Sequence, residues 1–260
     1  MTGQTPAPPA TIPAATLILF RDAAPGAPPD VLMIERAGGM AFAAGAMVFP
    51  GGRIDPGDHR AAGTDPAPGA SDENDAAARI AAIRETIEEV GIAVGLSPAP
   101  DAPTLARLRT GLAAGSDFAG LIAQAGLRLA PDMLVPFARW CPNFHETRMF
   151  DTRFFLARAP AGAIAIPDGT ETTAALWATP QAILTDADAG RRHIIFPTRR
   201  NLERLAALGT FDRAAAQARA ITPDRIVPWI EDRDDDRWLC IPADRGYPVT
   251  AERLDSARRG

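Results

Sequence analysis

The sequence predicts an α/β/α sandwich around a mixed sheet, and three observations carry that expectation. Short β-rich runs lie on both sides of one long helical stretch, the arrangement that packs helices over a sheet. That stretch has two unlike faces, one of aliphatic residues and one of glutamates. Two further helical regions interrupt the middle of the chain and fill its C-terminal part, as a helical insertion and a helical C-terminal section.

In chain order, residues 1–13 are rich in Pro, Ala and Thr, and read as a flexible tail leading into a strand. Residues 16–20 and 31–35 read as strands joined by a Pro/Gly loop at 22–30. Residues 47–49 form a short strand that delivers a paired-glycine turn, Gly51-Gly52. Residues 77–90 carry helical periodicity, and 104–114 and 117–125 do so again within a helical insertion at 103–127. β-rich sequence returns at 134–140, 148–157 and 173–177. A helix starts near Thr179-Pro180, where proline suits the first turn. Residues 199–208 and 211–220 are helical, and the arginine-rich stretch 253–259 reads as a solvated tail. The expected organisation is a main domain over 14–210 and a C-terminal extension, 211–260, packed on it.

The chemistry concentrates at Arg84-Glu85-Thr86-Ile87-Glu88-Glu89-Val90-Gly91-Ile92, downstream of Phe49-Pro50-Gly51-Gly52. At roughly 100° per residue, Glu85, Glu88 and Glu89 share one helix face, while Ile80, Ile83, Ile87 and Val90 share the opposite one. The aliphatic face is suited to a sheet, and the acids are expected to point outward together. Like charges at this spacing repel, and a bound cation turns the repulsion into attraction. Hard carboxylate oxygens without His or Cys suit magnesium or manganese better than zinc. Gly91 stands where a helix C-cap glycine belongs.

This segment resembles the Nudix box, the signature of hydrolases that cleave a nucleoside diphosphate linked to another group. Gly52 matches the first glycine, and Arg84 to Ile92 match the second half at every fixed position. Asp58 replaces the first glutamate of the pattern. The 25 residues from His59 to Ile83 exceed the usual seven by eighteen, and residues 59–76 read as a loop inserted in the box. Leu32-Met33-Ile34-Glu35-Arg36-Ala37, Gly45 and Phe49-Pro50-Gly51-Gly52 resemble the segment preceding the box in Nudix enzymes acting on coenzyme A, with Ala41 in place of an arginine. The acyl-CoA diphosphatase branch carries an insertion inside its box, and Asp151-Thr152-Arg153-Phe154-Phe155 resembles it too.

The resemblance implies a Nudix-like sandwich and a role for each matched residue. Glu85, Glu88, Glu89 and the Gly51 carbonyl are the implied ligands of Mg2+ or Mn2+, and Arg84 fastens a glutamate. Arg36 and Gly52 are the implied substrate contacts. The base is Glu85 or a carboxylate of a later loop, Glu171 or Glu146. The implied activity is hydrolysis of CoA or acyl-CoA to a 4′-phosphopantetheine species and adenosine 3′,5′-bisphosphate. Another nucleotide derivative, such as ADP-ribose or NADH, and a non-catalytic nucleotide-sensing module stay open.

Other features exclude more than they assign. A net charge of −5 argues against nonspecific nucleic-acid binding. All 27 basic side chains are arginine, more than phosphate binding alone accounts for. Cys141 and Cys240 form no disulfide framework, and with no convincing signal core at 14–20 the expected location is cytoplasmic, away from membranes. The expected partner is a small-molecule nucleotide substrate, and a homodimer stays open. His59, His145 and His193 show no zinc-ligand spacing, while Trp140, Phe144, Phe150, Phe154 and Phe155 read as core.

Overall fold

The structure, a computed structural model, describes residues 11–23, 26–39, 43–63, 75–142 and 149–257. Ala41, Phe144, His145 and Glu146 lie outside these residues. The first half contains strands β1 (Thr11–Arg21), β2 (Asp30–Arg36), β3 (Met47–Val48) and β4 (Gly51–Arg53), then helices α1 (Pro56–Ala62) and α2 (Asp75–Val90). Next come β5 (Leu96–Ser97), α3 (Ala102–Ala113), α4 (Phe118–Gln124) and β6 (Arg128–Leu129). The sheet resumes with β7 (Val135–Trp140), β8 (Met149–Arg158) and β9 (Thr172–Ala178), followed by α5 (Pro180–Asp188), α6 (Phe196–Leu208) and α7 (Phe211–Ala220). The chain closes with β10 (Arg225–Ile226), β11 (Trp229–Arg233), β12 (Asp236–Cys240), β13 (Ala251–Arg253) and α8 (Leu254–Ala257).

Eight strands form one mixed sheet in the order β10-β7-β8-β1-β2-β3, with β4 beside β1 and β9 beside β2. β1 and β8 run parallel along ten paired positions, whereas β7 and β8 are antiparallel. Alternation along β1 sends successive side chains to opposite faces. Leu17 and Leu19 pack with Ile80, Ile83, Ile87 and Val90 of α2, while Ile18 and Phe20 pack with Leu202 and Leu205 of α6. Both faces are covered, which makes the expected α/β/α sandwich. Thr179 caps α5 by accepting from the Ala182 N–H, with Pro180 in its first turn.

Several local expectations change. The first strand begins at Thr11, so residues 11–13 belong to the sheet. Gly51–Arg53 is a short strand paired with Ala14–Thr16 of β1, where the sequence indicated a turn. The start of the 59–76 segment is helical, because α1 runs to Ala62 and buries Asp58 and His59. The C-terminal stretch is no solvated tail as far as Ala257: Arg253 pairs with Trp238, and Leu254 is buried. Leu239, Ile241, Tyr247 and Leu254 share a core with the main sheet, and β10 extends that sheet from β7. No helix among the described residues is long and apolar enough to cross a membrane.

Candidate active site

The site is built where α2 crosses β4. The two glycines of β4 make close contacts on different sides. A Cβ on Gly52 would stand 2.3 Å from Glu85 Oε1, and one on Gly51 would stand 2.3 Å from the Ala15 carbonyl oxygen. Gly52 therefore lets the Glu85 carboxylate come down on β4, and Gly51 lets β4 lie close against β1. This corrects the expectation of outward-pointing acids. Glu89 is only 4% exposed, and its Oε2 accepts from the Gly51 N–H at 2.8 Å. Glu85 and Glu88 are half-buried beside it.

Arg84 organises the cluster. Its Nη1 donates to Glu85 Oε1 at 2.9 Å and to Glu88 Oε2 at 2.8 Å. The opposite edge of the guanidinium forms a fork on Asp58, with Nε to Oδ1 at 3.0 Å and Nη2 to Oδ2 at 2.9 Å. Nη2 also donates to the Arg53 carbonyl at 2.9 Å, which fixes the end of β4 to α2. Burial works against the Arg84 charge, but Asp58, Glu85 and Glu88 more than offset it and raise its pKa. Asp58 is 1% exposed and also receives the Asp55 N–H, so the substituted position of the box remains an acid that clamps the arginine.

The acids outnumber the base, and their protonation reflects it. Burial pushes the Glu85 carboxyl up to about 7; the Arg84 charge pulls the other way, and the Glu88 charge adds to the rise. Glu89 is raised well above the usual carboxylate range, first by burial and then by the Glu85 charge. The Gly51 N–H and Arg36 oppose that rise, and Glu171 contributes to it. Glu88 is raised as well, chiefly by burial.

These groups border a cleft of about 1440 Å³. The eight predicted site residues that the structure describes all line it: Arg36, Gly51, Gly52, Arg84, Glu85, Glu88, Glu89 and Glu171. Glu171 is exposed and arrives on the loop before β9, where its carbonyl accepts from the Ala37 N–H at 2.8 Å. Asp168 shapes that loop by accepting from the N–H groups of Thr170 and Thr172. Burial opposes the Asp168 charge, but those donors hold its carboxyl below the ordinary value. At Gly51, it is the N–H that meets an acid.

As placed, no three His, Cys, Asp or Glu side chains among the described residues are arranged to hold a metal ion. Glu85 and Glu88 are turned to Arg84, and Glu89 to Gly51. The donor chemistry nevertheless fits a hard divalent cation. It offers only carboxylate oxygens, desolvated and short of positive charge.

Two residues of the site carried no sequence signal. Arg109 of α3 lines the cleft and donates from Nε to the Glu88 carbonyl at 3.0 Å. Its Nη2 reaches the Glu89 carbonyl at 3.2 Å and the Ile166 carbonyl at 2.6 Å. Asp168 is the other; its Asp-Gly-Thr context is turn-prone, which points to a loop but not to a site.

No family model matches the sequence, and no curated protein matches it. Solved structures do. A NUDIX hydrolase from Alicyclobacillus acidocaldarius is 30% identical with a TM-score of 0.70, covering 81% of this chain and 97% of that one. A MutT protein from Methanosarcina mazei Go1 is 15% identical with a TM-score of 0.43, covering 78% of this chain and 97% of that chain. A MutT NUDIX hydrolase from Burkholderia pseudomallei is 16% identical with a TM-score of 0.40, over 75% and 97% of the two chains.

Proposed function

The chain belongs to the Nudix hydrolase family, and we propose that its reaction is the metal-dependent hydrolysis of CoA or acyl-CoA. The observation that carries the chemistry is the excess of buried carboxylate on α2, set against the Gly51-Gly52 strand in a large cleft. The substrate rests on the segments flanking the box, from Leu32 to Gly52 and from Asp151 to Phe155.

Glu85, Glu88 and Glu89, with the Gly51 carbonyl, would hold Mg2+ or Mn2+. A divalent ion bound there neutralises the diphosphate, lowers the pKa of an attacking water and stabilises the departing phosphate. The chain supplies the rest. Arg84 holds Glu85 and Glu88 from one nitrogen while anchored on Asp58, so the acids keep a fixed spacing. Gly52 leaves room for the Glu85 carboxylate, and Arg36, in the cleft lining, offers positive charge to the substrate phosphates. Glu171 or Glu85 takes the proton from water, whose oxygen bonds to phosphorus as the bridging P–O bond breaks. The products are a 4′-phosphopantetheine species and adenosine 3′,5′-bisphosphate.

The test is a panel of CoA, acyl-CoAs, NADH, ADP-ribose and oxidised dGTP with magnesium or manganese, products resolved by chromatography. Adenosine 3′,5′-bisphosphate formed from CoA species at the highest efficiency supports the proposal. Preference for ADP-ribose sinks the substrate reading, and silence throughout favours a nucleotide-sensing module.

A further inference from the structure

The cleft is divided sharply by charge. Its charged lining residues all come from residues 36, 53–55, 84–89, 109 and 168–171. Among the described residues, the lining at Trp140, Pro142, Phe150, Thr152 and Phe154, at 195–198 and at 230–257 carries no charge and is mostly aromatic or aliphatic. The β1–β8 register puts Ala14 beside Thr152 and Thr16 beside Phe154, a shared floor that joins the two halves. The far wall comes from the C-terminal section: Phe196 at the start of α6, Ile230 of β11, Leu239 of β12, and Leu254 and Ala257 of α8.

The rings of this arm are committed to each other. Trp140 meets Phe196 and Tyr247 edge to face, at 6.0 and 5.5 Å between centroids, and Phe49 meets Phe154 in the same way at 6.5 Å. The Trp140 indole N–H is used by the Tyr247 hydroxyl at 2.9 Å. A stacked base needs an open ring face, and Trp140, Phe49, Phe154 and Phe196 are all buried. A flexible aliphatic chain needs only apolar wall. The volume of about 1440 Å³ also exceeds the ~300–1,000 Å³ of an ordinary small-molecule pocket. A substrate with a diphosphate at one end and a long apolar group at the other uses both halves.

We propose that this arm, walled by Trp140, Phe154, Phe196, Ile230, Leu254 and Ala257, is a subsite for the aliphatic chain of an acyl thioester, so that acylated CoA is preferred over free CoA. The inference rests on the CoA reading of the charged half. It assigns chain-length selection to the C-terminal section.

The experiment uses the full chain with magnesium, measuring kcat/KM for CoA, acetyl-CoA, hexanoyl-CoA and dodecanoyl-CoA below their micellar concentrations, with ADP-ribose alongside. Burial of successive methylenes should raise kcat/KM by at least ~10-fold from CoA to dodecanoyl-CoA. Ile230→Asp places a charge in the arm at a position already 38% exposed, where the fold tolerates it. Ala257→Trp fills the arm instead. Both should pull the dodecanoyl-to-free ratio back toward one. Equal efficiency at all chain lengths overturns the subsite and leaves the CoA reading standing. A chain preference unmoved in both variants overturns the placement. Cleavage of ADP-ribose without any CoA species overturns the CoA reading and the subsite with it.

Discussion

Two buried carboxylate clusters in this molecule have opposite charge ratios. Glu85 and Glu88 of α2 and Asp58 of α1 share the single guanidinium of Arg84, and Glu89 accepts from the Gly51 N–H. On β8, the single carboxylate of Asp151 receives Arg139 through both oxygens at 2.8 Å and Arg225 at 2.5 Å. Both sets are largely shielded from water, yet burial prevails at Glu85 and loses at Asp151. The difference separates a structural clamp, complete with its own counter-ions, from a site that lacks positive charge until something brings it. Natural proteins place such local conflict where it serves function.

The largest effect should come from removing one charge of the unbalanced cluster. Glu89→Gln keeps an acceptor for the Gly51 N–H but loses the anionic oxygen. Turnover should fall on the order of 100- to 1,000-fold, and magnesium should no longer raise the melting temperature as it does for the wild type. In EDTA near neutral pH the variant should melt no lower than wild type, since the wild-type acid ionises only against burial. Normal turnover in a folded Glu89→Gln protein would refute the site assignment.

Arg84→Met tests the other side of that imbalance. It strands Asp58, Glu85 and Glu88 without their cation, at a side chain 10% exposed. Breaking such a set by deleting one partner costs ~3–5 kcal/mol, read as a lower urea midpoint. Arg204→Met is the control on the opposite face. Arg204 is 2% exposed and has no carboxylate hydrogen-bond partner among the described residues. It is held by Gln217, the Phe137 carbonyl and the ring faces of Phe137 and Tyr247. Replacement there leaves no stranded acid, so the loss should be smaller by ~2 kcal/mol or more. Equal losses would show that carboxylate repulsion is not what Arg84 restrains.

The balanced cluster predicts a pH dependence. Burial raises the Asp151 carboxyl, but Arg139 and then Arg225 hold it below its ordinary 3.8. An acid with a lowered folded pKa contributes stability that is present above the unfolded value. That contribution is lost as pH falls from about 3.8 through the lower folded value. Asp151→Asn should cost ~1–3 kcal/mol at neutral pH and give a shallower acid limb in urea titrations. An unchanged limb would mean that the ion pairs among β7, β8 and β10 add nothing.

How much of this was legible in the sequence follows from the range of each signal. The spacing of Ile80, Ile83, Ile87 and Val90 fixed the buried face of α2, because helical periodicity is local. Gly52 and the residues from Arg84 to Glu89 were legible for the same reason, since the box is continuous apart from one insertion, whereas Arg36 and Glu171 lie outside it. Periodicity could not say what lies over the acid face. That depended on β4 pairing closely with β1 at Gly51 and on Gly52, whose missing Cβ admits Glu85. The C-terminal strands were missed because β11 to β13 are short and rich in charge, and their burial comes through Leu239 and Leu254 against distant elements.

Arg109 gives the smallest effect and the finest test of the comparison. At the α2 cluster the acids are held from the front by Arg84 and from behind by Arg109, through the carbonyls of Glu88 and Glu89. Those carbonyls are among the last of the helix, which have no partner further along it. The same guanidinium holds the Ile166 carbonyl, and the Ile166 N–H donates to Val90, so the loop leading to Glu171 is tied to the end of α2. Asp151 needs no such brace, because its counter-ions fix it directly. Arg109→Ala should cost ~1 kcal/mol of stability and lower kcat up to ~10-fold with little change in KM. Arg109→Lys, which can still reach a carbonyl, should recover part of kcat. A lower melting temperature with kcat and its pH profile unchanged would make the tie purely structural, and would leave Arg84 as the sole organiser of the acids.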